Sequence, residues 1–179
     1  ALAAKCDVLC EKPFVYDPEK RAGTLLDRAR GLAARADTNG RRLGICTQYS
    51  VAVPFLRRAA GKEEAAIGEF IGHLESPAKG RAPDPRRVWV DLSPHVISVA
   101  LELMPGAYPD WDSLEVNFDG YSAEARLALR DSADNRLTCT FRCANATEDP
   151  LNTRSFTLDG RQVDVGGAKD DEGVYCAKF

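Results

Sequence analysis

Leu114-Glu115-Val116-Asn117-Phe118, then Asp119-Gly120, then Tyr121-Ser122-Ala123-Glu124-Ala125-Arg126-Leu127-Ala128-Leu129-Arg130 is written with a period of two. Leu114, Val116 and Phe118 alternate with Glu115 and Asn117. Beyond the Asp-Gly turn signal, Tyr121, Ala123, Ala125, Leu127 and Leu129 alternate with Ser122, Glu124, Arg126, Ala128 and Arg130. A strand sends successive side chains to opposite faces, so this stretch predicts a hairpin with one apolar and one polar face. The same rhythm continues outward. Residues 131–135 turn the chain, and Leu137, Cys139, Phe141 and Cys143 then oppose Arg136, Thr138, Thr140 and Arg142. Phe156 and Leu158 precede a second Asp-Gly pair, Asp159-Gly160, and Val163 and Val165 follow it. An antiparallel meander results, apolar on one side and polar on the other.

The apolar side needs a cover, and the preceding residues supply it. Pro105-Gly106 separates the meander from Asp91-Leu92-Ser93-Pro94-His95 and the apolar run up to Leu103. The spacing predicts a helix over 91–104, with Leu92, Val96, Val99 and Leu103 as the stripe facing the core. Asp91 and His95 stand four apart and share a different face. An imidazole titrates near neutral pH, so a carboxylate and a histidine fixed on one rigid element are a platform for moving a proton. The plainer reading makes Asp91 a favourable charge at a helix N-terminus, Pro94 a first-turn proline and His95 a packed side chain.

Further upstream the pattern changes to strand, helix, strand. Asp7 to Cys10 reads as a short strand buried on both faces, with Glu11-Lys12-Pro13 at its carboxyl end, where ligands bind in open α/β sheets. Pro13 can lock that turn, including through a cis bond; the plain alternative is a surface turn. Asp17-Pro18 reads as a helix start, Asn39-Gly40 as its end, and Leu43 to Thr47 as the second strand. A right-handed crossover unit follows, too small to bury both faces of its sheet. No G-x-G-x-x-G run follows a strand, and Gly166-Gly167 has no helix after it. Between the two halves, residues 50–60 read as a short helix and residues 68–75 as a strand of a different sheet, on which His73 is structural or exposed. Residues 77–87 read as a loop with the length of a flap.

The totals narrow the function classes. With 179 residues and 44% apolar content, one ordinary domain or two small ones can bury a core. There are 24 basic against 27 acidic residues, net −3, which leaves no excess of cations to select nucleic-acid phosphates. The six cysteines follow no framework spacing. Buried free thiols in a reducing compartment are the reading, with a zinc site as a rival poorly served by two histidines, so no metal site is assigned. No signal peptide or membrane-length apolar run is present, and the expectation is a cytoplasmic protein that contacts no membrane.

Three features stand in a particular order: Val8-Leu9-Cys10-Glu11-Lys12-Pro13, the crossover strand leading towards Pro54, and Asp91-x-x-x-His95 before a meander. Together they resemble the glucose–fructose oxidoreductase / inositol dehydrogenase (Gfo/Idh/MocA) family. Residues 1–13 look like its helix end, strand and Glu-Lys-Pro signature, and Ile67-Gly68-Glu69 looks like the lead-in to its second domain. The resemblance implies a fold of α/β plus α+β character: the C-terminal remnant of a Rossmann domain over residues 1–48, and over residues 49–179 a domain with a predominantly antiparallel open sheet covered by helices. It implies hydride transfer between NAD or NADP and a sugar, polyol or related carbinol, and a homo-oligomer built through the open sheet. Carried over, Lys12 binds the reacting oxygen beside the nicotinamide, His95 is the general acid/base, and Asp91 binds a substrate hydroxyl and tunes His95. Glu11 and Pro13 shape the cofactor-side turn. Tyr49 and Trp89 are candidates for lining the substrate pocket, with core packing as their alternative. The glycine-rich half of the Rossmann domain is missing from this sequence. The chain is then part of a longer polypeptide, a partner of another chain, or a remnant without dehydrogenase activity. Two other functions stay open: a non-catalytic assembly subunit using the open sheet, and a cofactor-free proton-transfer enzyme using Lys12 and His95.

Overall fold

The computed structural model describes residues 1–148 and 152–178, with the backbone alone at 175–177, and the chain divides into two units, Ala1–Thr47 and Gln48–Phe179. In the first unit, strand β1 (Val8–Glu11) and strand β2 (Leu43–Cys46) pair in parallel, joined by helix α1 (Ala22–Thr38). Asp7 and Arg42 clamp the start of both strands: Asp7 Oδ1 accepts from the Arg42 N–H at 2.9 Å and Oδ2 from Arg42 Nη2 at 2.7 Å. The backbone N–H and the guanidinium of Arg42 hold the Asp7 carboxyl below its ordinary value. Helix α1 begins at Ala22, later than the Asp17-Pro18 pair predicts. Asp17 Oδ1 instead accepts from the Glu19 N–H at 3.1 Å, closing a turn of its own ahead of the helix. The expectation of a strand buried on both faces is also corrected. Leu9 is 75% exposed and Ile45 43% exposed, because one helix cannot cover both sides of two strands.

The second unit opens with a 3-10 turn (Ser50–Ala52) running into helix α2 (Val53–Ala59), followed by strand β3 (Glu69–Pro77) and helix α3 (Pro85–Leu103). Strands β4 (Tyr108–Asp119), β5 (Ser122–Arg130), β6 (Arg136–Ala146), β7 (Arg154–Leu158) and β8 (Arg161–Asp164) follow, and a small hairpin of β9 (Gly166–Lys169) and β10 (Tyr175–Lys178) comes last. The main sheet runs β4-β5-β6-β3-β7-β8. The meander therefore exists but is split. Strand β3 inserts between β6 and β7, parallel to β6 and antiparallel to β7. Turn chemistry follows the sequence. Asp159 and Gly160 both take positive φ (46° and 77°), the two-residue geometry that joins β7 to β8.

Helix α3 starts six residues before the predicted position. Asp84 Oδ1 accepts from the Arg87 N–H at 3.0 Å and Pro85 opens the first turn, so this Asp-Pro pair is the true cap. The expected loop over residues 77–87 is correspondingly shortened, and Pro94 lies within the helix, where it has no N–H to give the Val90 carbonyl. Val88, Val96, Val99 and Leu103 of α3 bury against Phe70, Leu74, Cys139, Phe141, Phe156 and Leu158 of the sheet. Leu92 is only partly buried at the margin of that stripe. The helix crosses β3 at Gly72, where an added Cβ would sit 2.8 Å from Val96 Cγ1. On the opposite face the polar positions meet one another, as in the cross-strand pair of Arg142 Nε with Glu124 Oε2 at 2.7 Å.

The five described free cysteines are Cys6, Cys10, Cys46, Cys139 and Cys143; the side chain of Cys176 lies outside the described residues. Burial pushes the Cys139 and Cys143 thiols up to about 12, and the charge of Asp91 adds to the shift at Cys143. No helix among the described residues is long and apolar enough to cross a membrane.

Candidate functional site

The helix that covers the sheet also carries the chemistry. Asp91 and His95 are one turn apart on α3, off the apolar stripe, with Asp91 exposed and His95 buried at 7% exposure. The His95 ring is held from outside its own helix. Its Nδ1 accepts from the Gln48 backbone N–H at 3.2 Å, and the Tyr49 ring packs edge-on to it with centroids 6.0 Å apart. With Nδ1 accepting, the neutral ring carries its proton on Nε2. Tyr49 in turn packs 5.3 Å from Phe156 on β7, so residues 48 and 49 are fixed against the sheet as well as the helix.

His95 opens on a small cavity of about 80 Å³. Its wall comes from four places: Gln48 and Tyr49, the end of β3 at Leu74 to Ser76, Leu92 on α3, and Asn152 to Arg154 at the start of β7. The polar residues are not scattered. Ser76, Asn145 and Arg154 hold the positions that continue the apolar phase of β3, β6 and β7, so the core face of the sheet turns polar at this end. Asn145 Nδ2 donates to Ser76 Oγ at 3.0 Å, and the Thr153 hydroxyl donates to Glu75 Oε2 at 2.9 Å.

Each residue singled out in the sequence can now be located. Asp91 and His95 share a helix face, and Tyr49 lines the His95 cavity while also serving as core. Trp89 does not join them. It packs 5.5 Å from Phe118 and lines a separate apolar groove of about 480 Å³ between α3 and β4. Glu11, Lys12 and Pro13 lie at the carboxyl end of β1 in the first unit, Lys12 half-buried, and the Lys12–Pro13 bond is cis. Glu75, Arg154 and the Gln48 backbone were not foreseen. Arg154 left a trace in the sequence, since it stands two residues before Phe156 in the apolar phase of its strand. Among the described residues no cluster of three or more potential ligands could hold a metal ion.

A glycine-rich strand–turn–helix is absent from the described residues. Ten residues separate β1 from α1, and the N-cap position is Arg21 without a side-chain cap, so α1 does not present the tight turn that cradles a pyrophosphate. The described residues thus do not by themselves fit a dinucleotide.

No protein-family model and no curated protein sequence matches the chain. Solved structures do. An inositol dehydrogenase homolog from Azotobacter vinelandii, complexed with NADH and myo-inositol, superposes with a TM-score of 0.64 at 16% identity, over 92% of this chain and 45% of that one. A UDP-N-acetylglucosamine 3-dehydrogenase from Acidithiobacillus ferrooxidans gives 0.62 at 18% identity, over 99% and 57%. An oxidoreductase from Agrobacterium radiobacter, in complex with NAD+, L-tartaric acid and magnesium, gives 0.61 at 14%, over 99% and 55%. The fold is that of the Gfo/Idh/MocA-type oxidoreductases, and the chain spans about half the length of the structures it matches.

Proposed function

We propose, from this shared fold, that the chain supplies the substrate side of an oxidoreductase that moves hydride between NAD or NADP and a carbinol of a sugar, polyol or related compound. The observation that carries the reading is His95, fixed on α3 by the Gln48 N–H and opening on a cavity with a polar wall. A bound nicotinamide would exchange hydride with the carbinol carbon. The residues of this chain handle the oxygen. In the proposal Lys12 steadies the developing alkoxide, Asp91 binds a neighbouring hydroxyl and orients His95, and His95 exchanges the hydroxyl proton. The Gln48 contact adds a condition. Taking a proton at Nε2 requires the ring to pass through its Nδ1–H form, and the Gln48 N–H must then release Nδ1. The Gln48 backbone thereby sets which ring nitrogen is open to the hydroxyl proton. The same reading includes a cytoplasmic homo-oligomer assembled through the polar face of the sheet.

Turnover of a polyol panel with either nicotinamide tests the reading, with the parent in this test being the polypeptide or complex that joins this chain to a nucleotide-binding half. His95→Ala is expected to lower kcat by about 10²- to 10⁴-fold in protein that still unfolds cooperatively. Parental turnover by the variant would remove His95 from the mechanism, and no turnover of any polyol by the parent would contradict the reading itself.

A further inference from the structure

We propose that the polyhydroxylated substrate reaching the His95 cavity bears an anionic group, a carboxylate or a phosphate ester, and that Arg154 receives that group; the inference rests on the polyol reading above. It comes from strand register. Under α3, β3 and β7 pair Phe70 with Leu158, Gly72 with Phe156 and Leu74 with Arg154. The first two pairs are core, and the pattern calls for an apolar residue at the third. Arg154 is half-buried there, and a guanidinium drawn towards a core face is best offset by an anion. Among the described residues Arg154 has no ion pair. Glu75 lines the same cavity, yet its Oε2 accepts from Thr153 and it forms no ion pair with Arg154.

The surroundings sort the ligand. Gln48, Ser76 and Thr153 offer neutral donors and acceptors suited to hydroxyl groups. Glu75, and Asp91 one turn from His95, oppose a diffuse negative charge. An anion is therefore favoured only where it meets the planar fork of Arg154 directly, as carboxylates and phosphates do in bidentate fashion.

The test is binding of three probes to the purified full chain, followed by saturation-transfer NMR and calorimetry: galacturonate for the carboxylate, glucose 6-phosphate for the phosphate, and myo-inositol as the neutral polyol. One of the anionic probes is expected to bind about tenfold more tightly than myo-inositol or better, and which one does so identifies the group. Arg154→Met should bring that probe down to the level that myo-inositol shows on the same variant. Arg154→Lys, which keeps the charge without the fork, should retain part of the preference and carries the test if the methionine variant does not fold. Equal binding of neutral and anionic probes by the parent, or a preference that survives in Arg154→Met, overturns the inference while leaving the polyol reading intact. Failure of all three probes to bind overturns both.

Discussion

At the scale of single residues, chemistry was legible where it coincided with helical spacing. Asp91 and His95 could be paired because four residues make about one turn, whatever the rest of the chain does. Arg154 was harder to see, because its meaning depends on which residue lies across from it, and strand partners are not written in the local sequence. Trp89 shows the opposite failure: an aromatic near the site in sequence points to another groove in space. The second histidine offers a prediction. Burial lowers the His73 pKa from 6.5, Glu75 pulls it partly back, and Arg142 lowers it further. A lowered folded-state pKa means that the unfolded chain takes up its proton first as pH falls. Stability associated with neutral His73 is therefore lost from about pH 6.5 downward, and the loss levels off below the folded value. Denaturant midpoints measured between about pH 7.5 and about pH 5 should fall less for His73→Gln than for the parent. Parallel curves for the two proteins would show that His73 does not contribute.

At the scale of elements, periodicity located the meander strands and the Asp159-Gly160 turn, since alternation and turn residues are local signals. It did not show β3 inserted between β6 and β7, a pairing that joins residues far apart in the chain. In the sequence Asp17-Pro18 reads as a helix start, whereas Asp84-Pro85 falls within the expected loop. Only Asp84-Pro85 is one, because a cap forms where an apolar stripe follows to be buried, and the residues after Pro18 offer no such stripe until Leu25. Gly72 is the element-scale test of how α3 sits on the sheet. Alanine is ordinarily the better strand residue, but here its methyl would meet Val96 at under 3 Å. Gly72→Ala should cost about 1–3 kcal/mol in chemical denaturation, as overpacked cores do. A change within about 0.5 kcal/mol would mean that helix and strand are not in close contact there.

At the scale of the whole molecule, the sequence motifs and the superposition point to the same fold, and they do so for different reasons. The motifs report a handful of side chains in order. The superposition reports a mixed six-stranded sheet covered by one long helix, at identities too low for residue-by-residue transfer. What joins them is the placement of α3, whose apolar stripe closes the core while its other face turns His95 to a polar cavity. The sheet also separates the two histidines of the chain: His95 lies over the helix-covered face, and His73 points from β3 to the other. That separation gives the most direct measurement, a titration of the protein with polyols while the ring resonances of both histidines are followed by NMR. The account predicts saturable shifts of the His95 ring that exceed those of His73. Polyol binding that leaves the His95 ring unperturbed at saturation would contradict it.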